Sequence, residues 1–315
     1  MNRDFRFKIE YIGVQFLLAC VYVLPQSVLR PFGALLGWAA FSVLRIRRSV
    51  AINNVRSSLG SAEHTARAIA CRSYMNLGRS LVEFAAFRKF SAEDVRRLVA
   101  IEGTEYLEEA LHAGRGAVLF TGHFGNWELL AARAVSEGFP FHALVGEQSN
   151  RKVDALINSL RQSQHVGVIF QKAGLRQVLR VLADNEFVAI LADQDARKRG
   201  IFVDFLGRPA STFREPARLA IQCGCPIVTG FIIRQRRGMH LAKIQQPLWP
   251  KRNLTGEEAI LDLTQSFTAL LETFVRDHPD QYFWAHRRWK TRPPQEHADT
   301  VRGGAPAVST EKERA

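Results

Sequence analysis

Cysteine, methionine and acidic residues are scarce in this sequence, and no apolar run is long. Its 315 residues include 4 Cys and 3 Met. The cysteines, Cys20, Cys71, Cys223 and Cys225, are too few for a disulfide framework and form no Cys-x-x-Cys pair. Cys223-Gly224-Cys225 has no second half to complete a metal site, so the four read as reduced thiols in a reducing compartment. Acids number 30 against 43 Lys and Arg, which leaves a formal charge of +13. That deficit points to a polyanionic partner: nucleic acid, an anionic membrane surface, or an acidic protein or substrate. Apolar residues at 47% and charged residues at 23% exclude a disordered or fibrous chain. The length suffices for one large domain or two small ones with a real core.

The shortage of long apolar runs bears on membrane topology, because a spanning helix needs about 20 apolar residues in succession. The most apolar stretch, residues 11–44, reads YIGVQFLLACVYVL, then PQSVLRP, then FGALLGWAAFSVL. Neither half is long enough alone, and Pro25, Gln26, Arg30 and Pro31 interrupt the middle. The stretch is one short tilted span, two apolar helices lying partly in the interface, or a buried helical hairpin. The start, MNRDFRFKIE, mixes acids with bases and leads to no Ala-x-Ala site, unlike a cleaved signal peptide. Residues 1–56 hold eight cations and two anions, a balance drawn to anionic lipid at the cytoplasmic face. The expectation is a membrane-associated segment over 1–56 that anchors a cytoplasmic body.

Beyond it, residues 61–89 carry apolar side chains at helical spacing, and Ser91 before Glu93 and Asp94 resembles a helix cap. Short apolar runs then alternate with helical ones. Strands are predicted at 117–121, 141–145, 166–170, 187–191 and 226–233, with another at 240–245. Helices are predicted at 126–137, 151–164, 175–185, 213–223 and 256–277. Such alternation predicts an α/β fold with a mostly parallel central sheet flanked by helices, here over 57–291. The tail, 292–315, is rich in Pro, Gly, Ala, Ser and charge and reads as disordered. In parallel sheets, sites form at the carboxyl ends of strands, which selects the loops 122–125 and 193–200.

The first of these loops lies in Thr121-Gly122-His123-Phe124-Gly125-Asn126-Trp127-Glu128. On one continuous helix His123 and Glu128 would sit about 140° apart. If the strand ends at Thr121 and Asn126 caps a helix, the glycines let the chain bend so that Glu128 accepts a hydrogen bond from His123. The other imidazole nitrogen is then free to take a proton from a hydroxyl, the base-and-orienter arrangement of acyl transfer. No His-Glu-x-x-His zinc pattern is present. A basic nucleic-acid-binding protein is the remote alternative, but no helix-turn-helix, RNA-recognition or zinc-finger pattern supports it.

HFGNWE is followed in order by SNRKVDALINSLR (149–161), ADQDARKRGIFVDFLGRPAST (192–212), REPARLAIQCGCPIVTGFIIR (214–234) and HPDQYFWAHRRWKTRP (278–293). This series, running from about Glu10 to Lys290, resembles the late acyltransferases of lipid A biosynthesis, bacterial inner-membrane enzymes of the lysophospholipid-acyltransferase-like superfamily. The resemblance implies an O-acyltransferase whose donor is a fatty acyl thioester of acyl-carrier protein. The implied acceptor is a hydroxyl of a lipid A precursor, at the cell inner membrane, with the catalytic domain facing the cytoplasm. Another membrane lipid (a lysophospholipid, a glycolipid or an amino-acid lipid) is the alternative acceptor. The resemblance further implies His123 as general base with Glu128 as its partner, and Arg161, Asp193 and Gln194 as substrate-binding residues. Glu at 128, where many glycerolipid acyltransferases have Asp, fits the lipid A branch.

Such chemistry calls for no metal or cofactor, only a base and an oxyanion stabiliser, for which the amides of the Gly-rich turn or Arg161 are candidates. Cation clusters at Arg197-Lys198-Arg199 and at Arg287, Arg288, Lys290 and Arg292 suit an acidic donor and a phosphorylated acceptor. Tyr282, Phe283, Trp284 and Trp289 sit either at a headgroup boundary or packed on the sheet.

Overall fold

The computed structural model describes residues 2–294 of the chain. Helix α1 (Arg3–Val23) opens on Asn2, whose side chain accepts from the Asp4 amide, and stops before Pro25. Helix α2 (Gln26–Ser42) starts directly after that proline. Helix α3 (Arg48–Leu59) ends at Gly60 in the left-handed conformation, and α4 (Glu63–Ala85) follows. Ser91 and Asp94 form a reciprocal capping box at the start of α5 (Ala92–Leu98).

Strand β1 (Val99–Glu102) and helix α6 (Thr104–His112) lead into the alternating part of the chain. Its first units are β2 (Ala117–Thr121), α7 (Trp127–Ser136), β3 (Phe141–Val145) and α8 (Arg151–Gln162). Next come β4 (Gly167–Phe170), α9 (Leu175–Ala183) and β5 (Phe187–Leu191). A hairpin, β6 (Ile201–Asp204) and β7 (Pro209–Thr212), precedes α10 (Glu215–Cys223), β8 (Ile227–Arg234), β9 (His240–Ile244) and α11 (Gly256–Asp277).

The described residues form a seven-stranded sheet of order β1-β9-β8-β2-β5-β3-β4, with β6 and β7 as a separate antiparallel pair. Five strands, β8 to β4 in that order, run parallel, and β9 turns back antiparallel to β8. Helices cover both faces, so the central strands AVLFT, FVAIL and IVTGFII are mostly apolar and buried nearly throughout rather than alternating. Phe120, Phe124, Phe231, Phe267 and Phe274 interlock on one face. Tyr282, Trp284 and Trp289 are 3%, 1% and 5% exposed, and Trp289 stacks on Phe205. These three rings are core, which removes the headgroup-boundary alternative for them.

Neither N-terminal helix, nor any other described one, is long and apolar enough to cross a membrane. No single helix runs through residues 11–44: the chain breaks at Pro25, and α2 is bound to the body. Its backbone lies on that of α4, where a Cβ on Gly37 would come within 2.0 Å of the Tyr74 carbonyl oxygen. A Cβ on Gly78 would lie 2.1 Å from the Gly33 carbonyl oxygen. The outward faces nevertheless display Ile9, Ile12, Phe16, Leu35 and Trp38 to solvent. The expected disorder of 292–315 falls, from residue 295 on, outside the described residues.

Candidate active site

Strand β2 delivers the chain to the carboxyl edge of the sheet, and α7 carries it away under a cap from the Asn126 side chain to the Leu129 amide (3.2 Å). The reversal between them requires glycine at 125. There φ is +60°, and a Cβ would sit 1.8 Å from the Ile232 carbonyl oxygen. The turn is gripped from two sides. From α4, the Ser80 hydroxyl donates to the Gly125 carbonyl (3.1 Å) and the Glu83 carboxylate accepts from the Asn126 side-chain Nδ2 (2.8 Å). From the segment before residue 284, the Gln281 carbonyl accepts from the Gly125 amide (2.9 Å) and the Phe283 amide donates to the His123 carbonyl (3.0 Å). Glu83 is itself held by Arg234 and His240. Burial opposes its ionisation, but those two partners prevail and hold the carboxyl at about 2.

His123 meets the second strand-end loop. Pairing of Thr121 with Leu191 levels the ends of β2 and β5, so that residue 193 emerges beside residue 123. Nδ1 of His123 lies 2.7 Å from Oδ1 of Asp193, and the His123 amide donates to Oδ2 at 2.9 Å. Nε2 faces the Gln194 side-chain nitrogen at 3.3 Å. Burial alone would lower the imidazole pKa, but the charge and hydrogen bond of Asp193, with Glu128 behind, raise it above the ordinary histidine value. Burial likewise opposes the Asp193 charge, and His123 with Arg288 overrides it and lowers that pKa.

The hydrogen bond expected between His123 and Glu128 is absent. The first turn of α7 aims Glu128 at α8, where its two oxygens accept from Arg161 Nε and Nη2 at 2.9 and 2.6 Å. Arg161 Nη1 also donates to Asn158. Glu128 thus acts on the imidazole only through its charge, and Asp193 occupies the place beside Nδ1. Three amides of the turn are already engaged. That of His123 serves Asp193, that of Phe124 the Gly122 carbonyl, and that of Gly125 the Gln281 carbonyl. Arg161 has five N–H donors, and its bonds to Glu128 and Asn158 use three.

An apolar cavity of about 300 Å³ opens behind these residues, between the sheet and α7. Small side chains make the room: Ala143, Ala189 and Gly230 on the sheet face, and Ala131 and Ala134 on α7. Thr121, His123, Glu128 and Arg161 line the same cavity. The Thr121 hydroxyl is buried with no hydrogen-bond partner among the described residues, an arrangement native proteins rarely leave unused.

A wider basic hollow borders Gln194, and Arg47, Arg197, Lys198, Arg199, Arg287 and Lys290 line it. Arg288 does not join that cluster. It is buried, and it donates to the carbonyls of Gln194 and Ser211. No group of His, Cys, Asp and Glu suited to a metal occurs among the described residues.

Thr121 and Glu83 escaped sequence reasoning. Thr121 ends an apolar strand run like any strand threonine. The only sign of Glu83 is a carboxylate inside the apolar stretch Leu81-Val82-Glu83-Phe84-Ala85.

Comparison with known proteins gives a consistent result. The sequence model described as "Bacterial lipid A biosynthesis acyltransferase" matches residues 3–291. A lipid A biosynthesis palmitoleoyltransferase of Escherichia coli is 26% identical over 299 residues, covering 93% of this chain and 95% of the relative. A lipid A biosynthesis lauroyltransferase of the same organism is 24% identical over 292 residues, covering 91% and 93%. A phosphatidylinositol mannoside acyltransferase of Mycobacterium tuberculosis is 25% identical over 193 residues, a match that spans 60% of this chain and only 59% of that relative.

Proposed function

We infer the reaction from one premise: the chain belongs to the bacterial lipid A biosynthesis acyltransferase family. It is an acyltransferase with a membrane lipid as acceptor. We propose that the donor is an acyl-carrier-protein thioester and the acceptor a hydroxyl of a lipid A precursor. The proposed location is the inner membrane, with the body on the cytoplasmic side and the apolar faces of α1 and α2 in the interface.

The observation that carries this reading is the His123–Asp193 pair at the mouth of an apolar cavity. Asp193 accepts the Nδ1 proton and so keeps the lone pair on Nε2. Nε2 takes the proton of the acceptor hydroxyl as the oxygen attacks the thioester carbon. The carbonyl π pair moves onto oxygen, and its return expels the thiolate, which takes the proton back from the imidazolium. The fatty chain lies in the cavity. The developing oxyanion is met by the two unspent N–H groups of Arg161 and by the Thr121 hydroxyl, which has no other partner among the described residues. Glu128 supports the reaction by fixing Arg161 and adding negative charge near the imidazolium.

The test is mass spectrometry of products from the purified protein, acyl-carrier-protein thioesters and a panel of lipid acceptors. His123→Ala should fold and transfer almost nothing, and full transfer by that variant would overturn the role of His123. The match to a phosphatidylinositol mannoside acyltransferase favours a second reading, in which another membrane glycolipid is the acceptor. Acylation of such a lipid, with the lipid A precursor untouched, would select it.

A further inference from the structure

A hollow of about 580 Å³, apart from the catalytic cavity, lies among the first turns of α2, the middle of α4, the β8–β9 turn and residues 280–281. Arg30, Arg79, Arg234, Arg236 and Arg237 line it, against one carboxylate, Asp280. Glu83 neutralises Arg234. Among the described residues no ion pair is made by the other four guanidiniums. Arg79 gives one N–H to Asn76 Oδ1 (2.8 Å), and Arg30 reaches the Arg237 carbonyl. Gly238, at φ +78°, lets the β8–β9 turn fold tightly over Arg30. Half-burial weakens the hold of Arg79 on its proton, and Arg234 and Arg30 weaken it further, against the pull of Glu83 and Asp280. Like charges gathered in a partly dry hollow are unfavourable until an anion joins them.

We propose that this hollow binds the phosphate of an anionic membrane lipid, with Arg30 and Arg79 as the inner donors and Arg236 and Arg237 closing from the β8–β9 turn. Planar guanidiniums suit phosphate oxygens because each offers paired N–H donors. A lipid source is favoured over a soluble phosphate by the rim. Val28 beside Ser27 and Met239 beside Gly238 are 40% and 43% exposed, and the apolar outer face of α2 continues from there to Leu35 and Trp38. The floor residue Gln281 holds the Gly125 amide, so the hollow adjoins the catalytic turn without sharing its side chains. The site does not depend on which donor or acceptor the catalytic centre uses.

The experiment is co-sedimentation of the full chain with vesicles of phosphatidylcholine alone and of phosphatidylcholine mixed with phosphatidylglycerol. Each cation near an anionic surface is worth about fivefold in binding. Arg236→Gln with Arg237→Gln should therefore weaken binding to the mixed vesicles roughly thirtyfold. Binding to neutral vesicles and acyl transfer to a detergent-dispersed acceptor should stay as in the wild type. The charge-matched pair Arg176→Gln with Arg180→Gln, exposed on α9, should lose far less. Equal losses in both pairs would mean diffuse attraction and overturn the proposal, as would no loss in the first pair. Inorganic phosphate replacing chloride at constant ionic strength should compete only weakly, because it lacks the acyl chains that rest on the apolar rim, and full displacement by phosphate no more concentrated than the lipid headgroup would overturn the lipid source. An active His123→Ala variant would undo the catalytic reading and leave these outcomes as they stand.

Discussion

Asp193→Asn exchanges one carboxylate oxygen for an amide nitrogen at the point where the imidazole is held. In the wild type, Asp193 Oδ1 accepts from Nδ1 at 2.7 Å, and Oδ2 accepts from the His123 amide. Asparagine keeps one acceptor, which the main-chain amide claims. Its NH2 group then faces Nδ1, so the imidazole proton moves to Nε2 and the base is lost. The expected fall in kcat/KM is roughly 10³- to 10⁴-fold, about 4–5 kcal/mol of barrier. A second effect tests the electrostatics. In the proposed mechanism only the neutral imidazole is active, and in the wild type its pKa is raised, so activity should climb as pH rises through a value above about 6.5. Without the Asp193 charge, burial prevails and the limb should move to the acid side. The stability linkage has the same origin. The raised His123 pKa stabilises the fold below about 6.5, and that gain is lost as pH rises through the folded-state value. The assay is kcat/KM against pH for thioester and lipid acceptor, with calorimetry to verify folding. A variant within tenfold of wild type, or an unmoved acid limb, would refute the reasoning.

Thr121→Val should lower kcat by roughly 10- to 100-fold at unchanged KM, with a Tm equal to or above that of wild type, because it removes a buried hydroxyl that has no partner among the described residues. A lowered Tm would assign the hydroxyl to the fold instead. Glu83→Ala should cost about 3–5 kcal/mol in denaturant unfolding, since the Arg234 guanidinium, on a side chain only 8% exposed, loses its carboxylate. In the wild type the Glu83 contribution is present above about pH 4.5 and fades as pH falls toward 2, which an acid-unfolding curve would register. Ala189→Leu fills the middle of the cavity and should shift donor preference to shorter chains, at about fourfold per excluded methylene, read from competition between thioesters of graded length.

Strand-and-helix alternation made the central sheet legible because its parallel strands are covered on both faces and therefore mostly apolar. The strands 117–121, 141–145 and 187–191 and the helix 256–277 have the predicted limits. Strand β1 and the pair β6–β7 were not anticipated, being four residues each and paired through neighbours far away or in a tight hairpin. The rule of strand ends named both loops that meet at His123, but local spacing could not choose its carboxylate. Glu128 lies five positions away in sequence and Asp193 seventy, yet it is the register of β2 on β5 that decides which one reaches Nδ1. The partner of Glu128 was equally hidden, since Arg161 approaches from a different helix. Trp284 and Trp289, aromatic and beside a cation cluster, looked amphipathic in sequence, and only the tertiary packing buries them.

Helix α4 makes two attachments along one rod. Around Tyr74 and Gly78 it is fused backbone to backbone with α2, and at Ser80 and Glu83 it clasps the turn that bears the imidazole. From Gly78 to Glu83 the rod advances only about 7.5 Å. The greasy outer surface of α2 and the reacting nitrogen are therefore mechanically tied, with no hinge between them. On the proposed mechanism, an interface on which α2 rests fixes the elevation of the imidazole, and a lipid hydroxyl must be presented at that gauge to be acylated. Selection among acceptors would then begin with how far each headgroup stands proud of its bilayer, before any side chain touches it.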